Sequence, residues 1–169
     1  MDLTNSINVW MTDKEKALLL ANLNQDDSYL EWGSGGSTIE AAKIVRLLVS
    51  IEHDSEWYKK VSNELKANRK QGLGYDYRLV PSDKPRSFPN VKREEFETYI
   101  TEVHRMDYSY DKVLIDGRAR IWCAEEVRNH LNQNAMVFIH DWDRPHYWSV
   151  LKWYKVIGLS ERLVMLRRK

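Results

Sequence analysis

Cysteine occurs once in the 169 residues, at Cys123. A lone thiol excludes an internal disulfide framework and a cysteine-ligated zinc site, and it suits a reducing compartment. On a helix it reads as a small buried hydrophobe. Long apolar runs are missing too. Met136-Val137-Phe138-Ile139 is only strand-sized, so no segment is expected to span a bilayer, and the N-terminus has no signal-peptide core. Neither sign of charge is in excess: 26 Lys and Arg stand against 25 Asp and Glu, for a net charge of +1. The basic residues are spread along the chain, apart from Arg167-Arg168-Lys169, so nothing calls for a nucleic-acid backbone as partner. Proline is scarce, and three of its four copies lie between Pro81 and Pro89, which marks Pro81–Lys92 as loop. These absences predict a cytoplasmic protein without membrane or nucleic-acid partners. The length suits one domain with a single core.

Against these absences, aromatics are plentiful, with seven Trp and nine Tyr. The tight group Tyr147, Trp148, Trp153 and Tyr154 reads first as helix packing. Thr12-Asp-Lys-Glu15 is a capping-box pattern that opens a short helix within an N-terminal helical extension, residues 1–27. From Ser28 to Lys169 short apolar runs alternate with helical stretches. Strands are expected at Ser28–Glu31, Leu47–Glu52, Tyr75–Val80, Lys112–Asp116 and Ala135–Asp141. Helices are expected at Ser37–Arg46, Asp54–Lys66, Glu94–Arg105, Ala119–Asn132 and from Pro145 through Tyr154. The chain closes with an antiparallel hairpin around Ser160-Glu161. Such alternation implies a mostly parallel sheet with helices on both faces, its ligand lying beyond the carboxyl ends of the strands. Four strand ends carry polar or glycine-rich sequence: Glu31 to Gly36, Glu52, Asp116, and His140-Asp141.

Glu31-Trp-Gly33-Ser34-Gly35-Gly36-Ser37-Thr38 follows a strand and opens a helix. Glycines let the backbone turn sharply and approach a ligand, and the helix start offers free N–H groups to a carboxylate or phosphate. Glu52, at the end of the next strand and followed by His53, can accept both hydroxyls of a ribose. A structural turn is the plainer alternative for the loop taken alone. A dinucleotide site would want a third glycine where Thr38 stands, and Glu31 would repel a pyrophosphate. The same acid suits the cationic methionyl end of S-adenosylmethionine.

On Glu31-Trp-Gly-Ser-Gly-Gly, Glu52 and the terminal hairpin, the chain resembles class I S-adenosylmethionine-dependent methyltransferases. Ile51–Tyr58, Val113–Arg118 and Val137–Arg144 resemble plant glucuronoxylan 4-O-methyltransferases and, more loosely, small bacterial and algal-virus enzymes that methylate sugars. The resemblance implies a Rossmann-like methyltransferase fold with a seven-stranded sheet, and methyl transfer to a hydroxyl of a sugar or glycan. It places Glu31, Gly33, Ser34, Gly35, Gly36, Ser37, Thr38, Glu52, His53 and Asp116 at the cofactor. By likeness to metal-dependent O-methyltransferases, Asp116 and Asp141 would hold a divalent metal, Mg²⁺ or Mn²⁺, with His140 a third ligand or the base. His-Asp departs from the paired acids or Asp-Asn of those families. The plainer alternatives are a strand-ending turn at Asp116, a buried His140, and an Asp141 paired with Arg118 or Arg144. Arg118, Asp143, Arg144, His146 and Tyr147 are the candidate substrate residues, with a surface ion-pair cluster as their alternative. Two other readings stay open: a non-catalytic cofactor-binding module of a larger glycan-synthesis protein, and an NAD-dependent oxidoreductase.

Overall fold

A computed structural model describes residues 7–87 and 91–169. Residues 1–6 of the expected N-terminal extension and 88–90 of the expected loop lie outside the described residues. Helix α1 (Asp13–Leu20) starts at the anticipated capping box, Thr12 accepting from the Glu15 N–H while Glu15 accepts from the Thr12 N–H. Then follow β1 (Ser28–Trp32), α2 (Gly36–Ala41), β2 (Leu47–Glu52), α3 (Ser55–Asn68), β3 (Gly74–Leu79), α4 (Glu97–Thr101), β4 (Tyr110–Ile115), α5 (Arg120–Glu126), β5 (Leu131–Ile139), β6 (Tyr154–Ser160) and β7 (Leu163–Arg168). The strands form one seven-stranded sheet in the order β3-β2-β1-β4-β5-β7-β6, parallel except where β7 runs antiparallel to β5 and β6.

Side chains alternate across the sheet, so each central strand feeds two cores. Leu30, Trp32, Val49, Ile51, Val113, Ile115, Val137 and Ile139 pack on the face covered by α4 and α5. Tyr29, Leu48, Leu114 and Phe138 pack on the face of α1, α2 and α3. Glu31 lies on that second face, opposite Ser50 in the register of β1 with β2. This parity turns a carboxylate inward beneath the glycine-rich turn.

Three helices are shorter than their sequence patterns, because tertiary pairing overrides propensity. The expected Ala119–Asn132 helix gives way to a 3₁₀ turn at Val127–His130, and Leu131 already pairs with Tyr110 of β4. Glu94–Arg105 breaks at Phe96 (φ −137°, ψ 24°), which is buried between the 3₁₀ turn Arg93–Glu95 and α4, and a second 3₁₀ turn, Glu102–Arg105, follows α4. The helix after β1 ends at Ala41, and the chain drops to Asp27, whose carbonyl accepts from Arg46 and Leu47. Pro145–Lys152 is 3₁₀, not α. No helix among the described residues is long and apolar enough to cross a membrane.

Candidate functional site

The turn after β1 is held by what lies under it. Gly33 has φ +89°, and a Cβ there would sit 2.5 Å from the Cα of Gly117, so two glycines let the ends of β1 and β4 touch. Gly35 is different. Its backbone is extended, and a Cβ would meet nothing nearer than Trp57 at 4.0 Å, so its missing side chain leaves open cavity and relieves no strain. Glu31 is fully buried behind the turn. It accepts from the hydroxyls of Ser37 and Thr38, from Ser50 at 3.2 Å and from Tyr29 at 3.3 Å. Burial outweighs these donors and pushes its carboxyl up to about 7. Glu31 and Thr38 therefore brace the turn from behind and do not line the cavity. With α2 only six residues long, the helix-dipole contribution expected at its start is small.

Glu52 faces the cavity. One oxygen accepts from the N–H of His53 and of Asp54, both at 2.8 Å, with His53 Nδ1 at 2.9 Å. The other accepts from Ser34 N (2.9 Å) and Ser34 Oγ (3.0 Å). Burial by itself would raise its carboxyl, but the donors from His53 and Asp54 win and hold it below the ordinary range. Glu52 is thus an anion that fixes the glycine turn from the next strand.

At the ends of β4 and β5 the key residue is one the sequence did not single out. Arg120, on the first turn of α5, is buried. It donates to the carbonyls of Gly117 (3.0 Å), Asp116 (3.0 Å) and His140, and its Nη2 lies 3.3 Å from Asp116 Oδ1 and 3.1 Å from Asp141 Oδ2. Asp141, at φ +58°, also meets Arg144 (3.1 Å) and Arg162 (3.2 Å). His140 has both ring nitrogens committed: Nδ1 to Asp116 Oδ1 at 3.0 Å, Nε2 to Glu15 Oε2 at 3.4 Å. Burial disfavours its cation, but Asp116, Asp141 and Glu15 outweigh burial and raise its pKa. This geometry does not fit the expected divalent ion. The guanidinium of Arg120 stands between the two aspartates, and the imidazole has no lone pair turned toward them. Among the described residues no group of three or more His, Cys, Asp or Glu is placed to hold a metal. Nor does it suit His140 as the free base, since a carboxylate faces each nitrogen. Asp116 Oδ2, by contrast, has no partner among the described residues, and Asp116 faces the cavity.

These strand ends converge on a cavity of about 910 Å³. Of the residues anticipated from sequence, Gly33, Ser34, Gly35, Gly36, Ser37, Glu52, His53, Asp116, Arg118, His140, Asp141 and Arg144 line it. Asp143 and His146 are exposed outside the lining; Tyr147 is buried beneath Arg120, whose guanidinium sits 5.4 Å from the ring centre. Several lining residues went unanticipated: Arg86, Arg120, Arg162, Trp57, Lys60 and a strap, Asn8–Met11. The strap is clipped by the Ile7 N–H to Glu64 (2.9 Å) and rests on Gly36, where a Cβ would lie 2.4 Å from Val9 N. Trp10 of the strap packs near Trp57 (ring centres 6.1 Å apart), whose indole N–H donates to Ser34 O at 2.6 Å. The one-face pattern of α3 signals Trp57; nothing local signals the strap.

No protein-family model matches the sequence, and no curated protein matches it. Solved structures do. A methyltransferase-like protein from Silicibacter pomeroyi superposes with a TM-score of 0.78 at 24% identity, over 97% of this chain and 89% of that one. A precorrin 8w decarboxylase from Methanobacterium thermoautotrophicum gives 0.60 at 15% identity, over 95% and 91%. An rRNA methylase from Streptococcus thermophilus gives 0.63 at 12%, over 94% and 98%. At these identities the likeness is one of fold. The chain has the Rossmann-like methyltransferase fold.

Proposed function

We propose that this chain is an S-adenosylmethionine-dependent methyltransferase that acts on a hydroxyl of a sugar or glycan. The observation that carries the reading is the convergence of the Gly33–Ser37 turn, the anionic Glu52 and the partly free Asp116 on one cavity at the carboxyl ends of the strands. The fold neighbours support methyl transfer; fold alone does not select an acceptor. The sugar acceptor is supported by the likeness of Ile51–Tyr58, Val113–Arg118 and Val137–Arg144 to glucuronoxylan 4-O-methyltransferases, and by the polar wall around Asp116. The balanced charge favours a small molecule or glycan over nucleic acid.

In this reading the Gly33–Ser37 turn walls the amino-acid end of the cofactor, and Glu52 accepts the ribose hydroxyls. When bound, the cofactor supplies an electrophilic methyl group on a sulfonium. Asp116 would accept the hydrogen bond of the acceptor hydroxyl through Oδ2 and take its proton as the hydroxyl oxygen displaces the neutral thioether from the methyl carbon. His140 and Arg120 hold Oδ1 and aim that free oxygen at the cavity.

Titration calorimetry with S-adenosylhomocysteine tests the proposal. Binding is expected, with none for NAD. Glu52→Ala should weaken it by about 1.5–3 kcal/mol, part of the loss coming from the released Ser34 and His53–Asp54 donors. Asp116→Asn should leave that affinity intact and lower turnover on a responsive sugar about 10²–10⁴-fold, while chelator leaves turnover unchanged. NAD binding without S-adenosylhomocysteine binding would falsify the reading.

A further inference from the structure

The cations around the cavity are unevenly neutralised. Arg120, Arg144 and Arg162 all converge on Asp141, at 3.1 to 3.2 Å. The ammonium of Lys60 sits 5.2 Å from the centre of the Trp57 ring, a cation–π contact. Arg86 and Arg118 remain. Both line the cavity, and among the described residues neither has an acidic group within 4.0 Å or a side-chain hydrogen bond. They come from different elements. Arg86 lies on the loop after β3, and Arg118 lies two residues beyond Asp116. They are also close enough to repel: partial desolvation of the guanidinium, then the charges of Arg86 and Arg120, lower the pKa of Arg118. Two like charges facing one space without a counter-ion oppose each other until an anion enters between them. Guanidinium forks meet carboxylate and phosphate oxygens in bidentate geometry.

Resting on the methyltransferase reading above, we infer that Arg86 and Arg118 form an anion clamp, and that the acceptor carries a carboxylate or phosphate near the hydroxyl that is methylated. The clamp fixes the charged end of the acceptor while Asp116 receives the hydroxyl, so two contacts orient one small molecule. Neutral sugars would lack the first contact and sample more orientations.

Inorganic phosphate and acetate, each titrated calorimetrically into the protein with and without saturating S-adenosylhomocysteine, test the clamp. Both arginines are exposed, so the double variant Arg86→Gln/Arg118→Gln is expected to fold, with circular dichroism as control. The expected result is saturable binding of at least one anion, weakened about tenfold or more in the double variant, with S-adenosylhomocysteine affinity unchanged. Binding of phosphate alone assigns a phosphorylated acceptor; binding of acetate assigns a carboxylate-bearing one. No saturable binding of either anion, or equal binding by wild type and double variant, overturns the clamp. No S-adenosylhomocysteine binding by the wild type, with anion binding that the double variant weakens, would instead remove the methyltransferase reading and leave the clamp standing.

Discussion

Glu31 sits at full burial among four hydroxyls, with its carboxyl pushed up to about 7 by desolvation. Its titration therefore opposes folding in a defined window. Between pH 4.5, its ordinary value, and about 7 the unfolded chain gives up a proton that the folded chain keeps, so stability falls as pH rises and levels off above that range. Glu31→Gln should flatten this slope, shifting the stability difference in the variant's favour by about 3 kcal/mol across the window. Urea unfolding from pH 4 to 9 reads it; parallel curves would show that Glu31 stays ionised in the fold. An acid just before the first glycine was legible in the sequence, but its direction was not. Whether a strand residue faces a ligand or the sheet's inner face depends on register, and here the register sets Glu31 opposite Ser50.

At the scale of elements, the strap Ile7–Met11 has its own foothold on the glycine turn. Gly36 begins α2, where alanine would favour the helix, yet its Cβ would lie 2.4 Å from Val9 N and 2.6 Å from the carbonyl carbon of Asn8. Gly36→Ala should therefore lift the strap and leave the sheet intact, at a cost of about 1–3 kcal/mol. Hydrogen exchange should show faster exchange over residues 7–11 with the strands unchanged; an unaltered strap would mean that α2 yields instead. The strands themselves, and α3 with its Asp54 cap, follow patterns that each segment carries within itself. The shortened helices do not, since Leu131 leaves its helix only because Tyr110 offers a strand partner.

Across the whole molecule, one contact ties the first helix to the far end of the sheet. Glu15 is fully buried; it accepts from the Arg162 N–H at 2.8 Å and lies 3.4 Å from His140 Nε2, 125 positions away. Burial would raise the Glu15 carboxyl, but the Thr12 and Arg162 N–H groups and His140 lower it; His140 is raised by Asp116, Asp141 and Glu15. The stability lent by the His140 cation is full below its ordinary value of 6.5 and is lost as pH rises through its higher folded value; that lent by Glu15 is present above 4.5 and lost as pH falls through its lower one. Glu15→Gln should thus destabilise by about 3 kcal/mol between those limits, with the deficit shrinking as pH rises through the raised folded value of His140. Thermal unfolding of both proteins across pH checks it, and a deficit that stays constant with pH would rule out a charged pair.

The order of elements, the terminal hairpin, the glycine turn and Glu52 at the end of β2 were determined by the sequence itself. Each depends on periodicity or turn chemistry within a dozen residues. Tertiary structure alone placed Arg120 between Asp116 and Asp141, turned Asp143 and His146 away, buried Tyr147, and brought Arg86 to the same cavity as Arg118. A polar side chain's partner is chosen by which strand ends and loops meet in space, and local pattern records that a residue is buried or charged, not whom it will face.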